Sequence, residues 1–68
     1  MALISVFVNL SMKEVADFLD RNGIKKYSFN RVENGQVQIA VFDNQKDLLL
    51  DSLSKENIEI RNEETLKG

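Results

Sequence analysis

The sequence contains neither cysteine nor histidine. Without cysteine there is no disulfide framework, no thiolate nucleophile and no cysteine zinc site, and nothing requires an oxidising compartment. Without histidine the chain lacks the side chain best suited to proton transfer near neutral pH and the commonest nitrogen ligand of transition metals. We therefore expect a protein that is not an enzyme, holds no metal or cofactor, and is cytoplasmic.

Long hydrophobic runs and a surplus of basic residues are also missing. The apolar N-terminal stretch Met1–Val8 has no basic leading region and is far shorter than the ~20 residues of a membrane span. The net charge of −2 gives no general attraction to phosphate backbones or anionic lipid. We therefore expect no membrane association, and nucleic acid is disfavoured as a partner.

The 68 residues that are present have a globular composition, with 43% hydrophobic and 29% charged residues. This length allows one domain, predicted to span residues 1–61, with residues 62–68 as a polar tail that frays. A chain of this size is close to the limit at which one core suffices. We therefore expect partner surfaces to matter to its stability.

Several segments of the chain have the alternating pattern or the residue composition of β-strands. The Asn34-Gly35 pair predicts a type I′ hairpin turn, because that turn needs positive φ at both central residues. The segment after this turn, Gln36–Asp43, has the most regular alternation of apolar and polar residues. The hairpin makes the preceding strand its neighbour in the sheet. The predicted strands are Leu3–Val8, Ile24–Val32, Gln36–Asp43 and Ile58–Arg61.

Two amphipathic helices are predicted between these strands. Ser11 to Glu14 has the pattern of a capping box, and Gly23 is expected to end the first helix in the left-handed conformation. The second helix is predicted over Gln45–Glu56, with Leu-rich burial. Its predicted end residues are Asp43 or Asn44 as the N-cap and Asn57 at the C-terminal end.

The predicted order β-α-β-β-α-β indicates an α+β, ferredoxin-like fold. We expect a four-stranded antiparallel sheet of order 4-1-3-2 with both helices on one face. The apolar first and third strands belong in the centre, and the more polar second and fourth strands at the edges.

The face of the sheet that no helix covers is the predicted interaction surface, because an exposed apolar sheet face is commonly used for association. We expect Leu3, Phe7 and Phe42 there, with an aromatic side chain from Tyr27 or Phe29. These residues favour a regulatory module that self-associates as a homodimer or docks on another protein through this face or an edge strand. A compact inhibitor fits the same hypothesis.

An RNA-binding alternative comes from Val6–Leu10, which resembles the first-strand motif of RNA-recognition domains. The third strand, however, carries Gln38 and Ala40 where stacking rings would be needed. The largest basic cluster is Lys25-Lys26, which offers little to phosphates.

Over Leu3 to Ile60 the chain is similar to an ACT domain, a small βαββαβ regulatory module. The similarity rests on the hydrophobic first strand, on Phe18–Ile24 with its Asn-Gly-Ile ending, and on Val37–Asp43 leading into a Leu-rich helix. It implies pairing of domains and binding of an amino acid near the turn between the first strand and first helix. That family usually has an Asp-x-Pro-Gly-like turn, so only Asn9 and Leu10 carry over as ligand-binding positions.

Overall fold

The computed structural model of the chain describes residues 2–67, and side-chain surroundings for residues 2–64. All strand pairs are antiparallel, and the sheet order is β2-β3-β1-β4. The predicted βαββαβ order and strand arrangement are therefore confirmed. The elements are β1 Ala2–Val8, α1 Met12–Arg21, β2 Ser28–Arg31, β3 Val37–Phe42, a 3₁₀ turn Asp43–Gln45, α2 Lys46–Lys55 and β4 Ile60–Lys67.

Both helices pack on the same face of the sheet, as predicted. In the central strands Val6 lies opposite Ile39, so their side chains share one face. This face and the helices together form one buried cluster, which makes the molecule a two-layer structure. The cluster consists of Ile4, Val6, Val8, Val15, Phe18, Leu19, Ile24, Val37, Ile39, Val41, Leu49 and Leu53.

The predicted helix ends hold at three of the four termini. Ser11 Oγ accepts from the Glu14 amide and Glu14 Oε1 accepts from the Ser11 amide, both at 3.1 Å, which completes the capping box. Gly23 and Asn57 have φ values of 64° and 58°. At the C-terminus of each helix, the amide of the residue after the left-handed one donates to the carbonyl oxygen five residues earlier, as in a Schellman motif. Ile58 donates to Leu53 O in this way at 2.9 Å.

The N-terminus of α2 corrects the predicted cap. Neither Asp43 nor Asn44 caps this helix, because both lie in a 3₁₀ turn that precedes it. Gln45 occupies the N-cap position without a side-chain cap bond. Its Oε1 accepts instead from the Lys25 amide at 3.2 Å, so this side chain ties the loop after α1 to the start of α2.

The second strand is shorter than the predicted Ile24–Val32. Ile24 is buried in the core, but its amide closes the end of α1 by donating to Leu19 at 3.0 Å. The next residues carry the chain from the helix layer to the sheet, and the strand begins only at Ser28. The apolar residue at position 24 therefore belongs to the helix end and not to a strand.

The hairpin turn is not of type I′. Asn57 is the only residue other than glycine with positive φ within residues 2–67, so Asn34 does not have the conformation that this turn needs. The Val32 amide donates to Gln36 O at 2.8 Å and the Gly35 amide to Val32 O at 3.1 Å. This is a three-residue loop in which the left-handed Gly35, with φ of 81°, follows a tight turn.

The predicted fraying tail is a strand. β4 begins at Ile60, two residues later than predicted, and continues through Lys67. It pairs with β1 along its whole length, with a register shift near Phe7 and Val8. Backbone pairing does not depend on apolar side chains, and a polar composition suits an edge strand. Gly68 lies outside the described residues.

A carboxylate joins the C-terminal ends of the two helices. Glu56 accepts hydrogen bonds from the Arg21 guanidinium and from Asn22 Nδ2, the latter at 2.7 Å. Asn22 Nδ2 also donates to Phe18 O at 2.9 Å. The bonds from Arg21 and then Asn22 lower the pKa of the Glu56 carboxyl below its usual value of about 4.5. The ionised form of Glu56 therefore stabilises the folded chain.

We expect Glu56→Gln to lower the free energy of unfolding at neutral pH and to weaken its acid dependence. Because the folded pKa of Glu56 is lowered, its contribution is complete above the usual value of about 4.5 and is lost as the pH falls through the folded value. Urea unfolding of both proteins between about pH 7 and about pH 3 should show the two stabilities converging on acidification. Glu33→Gln, in the hairpin loop, is the control. Equal acid sensitivity of Glu56→Gln and wild type would contradict this assignment.

We expect Asn57→Ala to lower the free energy of unfolding by about 1 kcal/mol, since a Cβ-bearing residue without a locally bonding side chain is strained in the left-handed region. Asn57→Gly should be close to neutral, because glycine adopts positive φ readily. Chemical denaturation measures both, with exposed Ser54→Ala as control. An alanine variant as stable as wild type would mean that this helix does not end in a left-handed residue.

Candidate functional site

The side of the sheet opposite the helices is the candidate functional site. Cross-strand partners share a face, so the positions opposite one another on this side follow from the strand register. Leu3 lies opposite Phe42, and Phe7 opposite Gln38. We call this side the open face, and its strand positions between residues 2 and 64 are Leu3, Ser5, Phe7, Ser28, Asn30, Gln38, Ala40, Phe42, Asn62 and Glu64.

One end of the open face is apolar. Leu3 and Phe42 are cross-strand partners there, and both are partly exposed. The Tyr27 ring meets the Phe42 ring edge-on, with centroids 5.4 Å apart and an interplanar angle of 80°. Tyr27 itself is 59% exposed. The structure thus brings Leu3, Tyr27 and Phe42 together, and we call these three residues the apolar end.

The centre of the open face is closed and polar. Ser5 is fully buried and Ala40 is 5% exposed, although neither belongs to the helix side. Gln38 Nε2 donates to Ser5 Oγ at 2.7 Å, which satisfies the buried hydroxyl and links β3 to β1. The small Ser5 and Ala40 side chains leave no ring at the centre. Stacking of nucleic-acid bases across the sheet would need aromatic groups at these positions.

Phe7 lies apart from the apolar end. It is four residues from Leu3 on the same strand, which corresponds to roughly 13 Å. Phe7 lines a depression of about 430 Å³ beside the β2–β3 hairpin. We call this the Phe7 depression; its other lining residues are Val32, Glu33, Asn34, Gln36 and Asn62. The predicted surface is therefore two apolar areas separated by a polar centre.

Phe29 does not belong to the open face, which corrects its predicted place on the interaction surface. It lies opposite Ile39, on the helix side, and packs against the core. Lys26 Nζ is 5.4 Å from the centroid of its ring. Tyr27 and Phe29 are two residues apart, so in a continuous strand both side chains would lie on the same face. Tyr27, however, precedes the strand, and its ring turns toward Phe42. The two aromatic side chains lie on different sides of the sheet because β2 begins at Ser28, after Tyr27.

The charges of the open face are acidic. Glu64 is the single charged strand position of this face between residues 2 and 64, and Glu33 adds a carboxylate at the Phe7 depression. No lysine or arginine between residues 2 and 64 occupies an open-face strand position. The sequence does not place Glu64 on this face, because the predicted last strand ends at Arg61. Glu33 adjoins the predicted Asn34-Gly35 turn and gives no functional signal of its own.

Groups with a shifted pKa lie elsewhere in the described part of the chain. Hydrogen bonds from the Ser11 backbone and then its side chain lower the pKa of Glu14, and Glu56 raises the pKa of Arg21. These shifts belong to the helix cap and to the joined helix ends. Within the residues searched, no group of three or more His, Cys, Asp or Glu side chains could hold a metal ion. No helix there is long and apolar enough to cross a bilayer.

The turn between β1 and α1 contains the two predicted ligand positions. Asn9 and Leu10 line a depression of about 470 Å³, together with the cations of Lys13 and Arg31. The Ser11 hydroxyl also lines it, but this oxygen accepts the Glu14 amide in the capping box. Lys13 and Arg31 therefore supply positive charge at this depression, whereas the Ser11 hydroxyl is already bonded within the capping box.

The described residues thus present two candidate surfaces, the open face and a basic depression at the β1–α1 turn. The open face combines partly exposed apolar groups with carboxylates. The turn combines Asn9 and Leu10 with two cations. Comparison of the chain with protein families, with curated proteins and with solved structures found no significant match.

Proposed function

We propose that this chain is a non-enzymatic protein-binding module that docks through its open face. The observation that carries the proposal is the two-layer architecture, in which helices cover one side of the sheet and leave Leu3, Phe7 and Phe42 partly exposed on the other. Partly exposed apolar side chains that share one sheet face are typical of association surfaces. Tyr27 extends this surface with an aromatic ring and a hydroxyl, a combination enriched at interfaces.

The dimensions of the molecule bound the size of such an interface. Its two longer extents are 28 and 25 Å, so one face measures roughly 700 Å², slightly below the ~800 Å² per partner of a standard interface. The accessible surface is 4466 Å², and about 4,400 Å² is expected for a monomer of 7.8 kDa. The chain therefore buries what an ordinary monomer of its size buries.

We expect Phe42→Lys to abolish protein binding while the chain remains folded. The substitution places a charge at the apolar end and removes the edge-to-face contact with Tyr27, a contact worth about 0.5–1.5 kcal/mol. The matched control is Leu48→Lys, because Leu48 is 41% exposed on α2, in the helix layer. Circular dichroism melts check folding of both variants.

Binding is measured by affinity capture from an extract of the source cells, followed by quantitative mass spectrometry. Proteins that bind the open face should be captured by wild type and Leu48→Lys but lost with Phe42→Lys. Sedimentation of the purified chain over a concentration series measures self-association in parallel. Equal capture by all three proteins, with no self-association of wild type, would overturn the proposed function.

A second candidate function, small-molecule sensing of the ACT type, is favoured by the depression at the β1–α1 turn. Lys13 and Arg31 supply positive charge beside Asn9 and Leu10, which suits the carboxylate of an amino acid. A ligand present at a hundred times its dissociation constant would stabilise the chain by ~2.7 kcal/mol. We expect a thermal shift with at least one amino acid and its loss in Arg31→Gln. No shift with any amino acid would remove this candidate.

A further inference from the structure

We infer that the open face binds a different protein whose surface carries lysine or arginine around an apolar centre, and not a second copy of this chain. The inference rests on the proposed function and specifies the partner of that same face. It is carried by an asymmetry of charge between the two sides of the sheet, which the strand register makes visible.

Among the residues whose side chains the structure describes, the open face has carboxylates and no balancing cation at its strand positions. Glu64 projects from the edge strand β4, opposite Ser5, and is exposed. Glu33 lies at the tip of the β2–β3 hairpin and lines the Phe7 depression. The strand positions of this face between residues 2 and 64 include neither lysine nor arginine. An approaching surface therefore meets negative charge around the apolar groups.

Four basic side chains have contacts that locate them on the helix side or at the ends of the molecule. Arg21 bonds Glu56 at the helix ends, and Lys46 Nζ lies 3.6 Å from Glu63 Oε1. Lys26 stands over the Phe29 ring, on the helix side. Arg31 lies opposite Val37, also on the helix side, and lines the depression at the β1–α1 turn. None of these cations compensates Glu33 or Glu64 on the open face.

The Phe7 depression matches a long basic side chain in particular. Phe7 and Val32 provide apolar surface. Among the described lining residues Glu33 is the charged one, and Asn34, Gln36 and Asn62 contribute amide groups. Lysine and arginine bury their methylene stems on apolar surface while the charged head stays near polar groups. A cation is also attracted to the face of an aromatic ring such as Phe7. A basic residue of the partner would satisfy all three kinds of group.

A second copy is a poor occupant of the same face. Two open faces brought together would enclose Glu33 and Glu64 of both copies in one interface, and the open-face strand positions between residues 2 and 64 supply no cation to separate them. Like charges that meet across an interface are unfavourable and suppress wrong partners. The apolar residues of the face lie in two areas with the polar Ser5 and Gln38 between them, so little continuous apolar contact is available to offset that repulsion.

The inference is tested with this chain itself as the probe. The double variant Glu33→Lys plus Glu64→Lys keeps the apolar centre of the open face and changes its charge from acidic to basic. In low salt we expect wild type to bind this variant at least about tenfold more tightly than it binds itself, because the facing charges become complementary. Binding should weaken as the ionic strength rises to about 0.15 M. Analytical ultracentrifugation of the mixtures measures both.

The matched control is Asp20→Lys plus Asp51→Lys, which makes the same change in net charge at exposed helix positions. It should bind wild type no better than wild type binds itself. A selection of random displayed peptides on immobilised wild type provides a second probe. We expect the selected peptides to combine apolar residues with a surplus of lysine and arginine, and to lose binding to the open-face double variant.

Three results would overturn the inference. Wild type that self-associates as tightly as it binds the open-face variant would make a second copy the partner and leave the proposed function intact. Equal binding of the open-face and control variants would show attraction by net charge alone. No association in any mixture, together with selected peptides that have no surplus of lysine or arginine, would exclude a basic partner. Loss of the proposed function would appear separately, as equal capture by wild type and Phe42→Lys.

Discussion

The structure depends on the antiparallel register between β1 and β3. With Val6 opposite Ile39, the β-branched residues of both strands point to one side and form the surface on which the helices pack. A shift of one residue would move every side chain of a strand to the other face. Val6 would then leave the core, and Ser5 and Phe7 would face the helices. The location of the core and the composition of the open face are therefore set by the same pairing.

This register also explains how a strand that is apolar on both faces is accommodated. β1 has neighbours on both sides, and its open-face residues are unequal: Leu3 and Phe7 are partly exposed at the two ends, whereas Ser5 is fully buried in the middle. The hydrogen bond from Gln38 to Ser5 satisfies the buried hydroxyl, which would otherwise be costly. The polar centre separates the two apolar areas, so no continuous hydrophobic stripe crosses the sheet. Exposed apolar area is thereby divided into two small areas at the ends of the face.

Features that follow from strong periodicity or from local capping chemistry could be predicted from the sequence, and features that depend on pairing could not. The capping box at Ser11 and the left-handed ends at Gly23 and Asn57 involve neighbours in sequence. The length of β4 depends on the backbone of β1, and its polar residues give no such signal. Tyr27 and Phe29 would share a face if both lay in the strand, but only Phe29 does, because the strand begins after Tyr27.

The turn residues show the same distinction at a finer scale. Asn-Gly favours a two-residue hairpin loop, but the observed pairing of Val32 with Gln36 leaves three residues in the loop, and only Gly35 needs positive φ. At the start of α2, Asp43 and Asn44 have good capping chemistry, yet the chain leaves β3 through a 3₁₀ turn and Gln45 bonds the loop after α1. In both places the sequence permits more than one local structure, and the observed one coincides with the Val32–Gln36 bond in the hairpin and the Lys25–Gln45 bond at the start of α2. The composition of the open face could not be predicted in full for a related reason, because Glu64 belongs to it only through the extended pairing of β4.

The carboxylates of the open face connect solubility with partner choice. A sheet with one uncovered face and exposed edges risks pairing with other copies of itself, and charged side chains are a common protection. Glu63 and Glu64 lie on the edge strand β4, and Glu64 and Glu33 border the apolar areas of the open face. The same charges that would keep copies apart would attract a surface of opposite sign. Protection against self-association and recognition of a basic partner are then two consequences of one charge distribution, and both follow from placing the cations of the described residues away from this face.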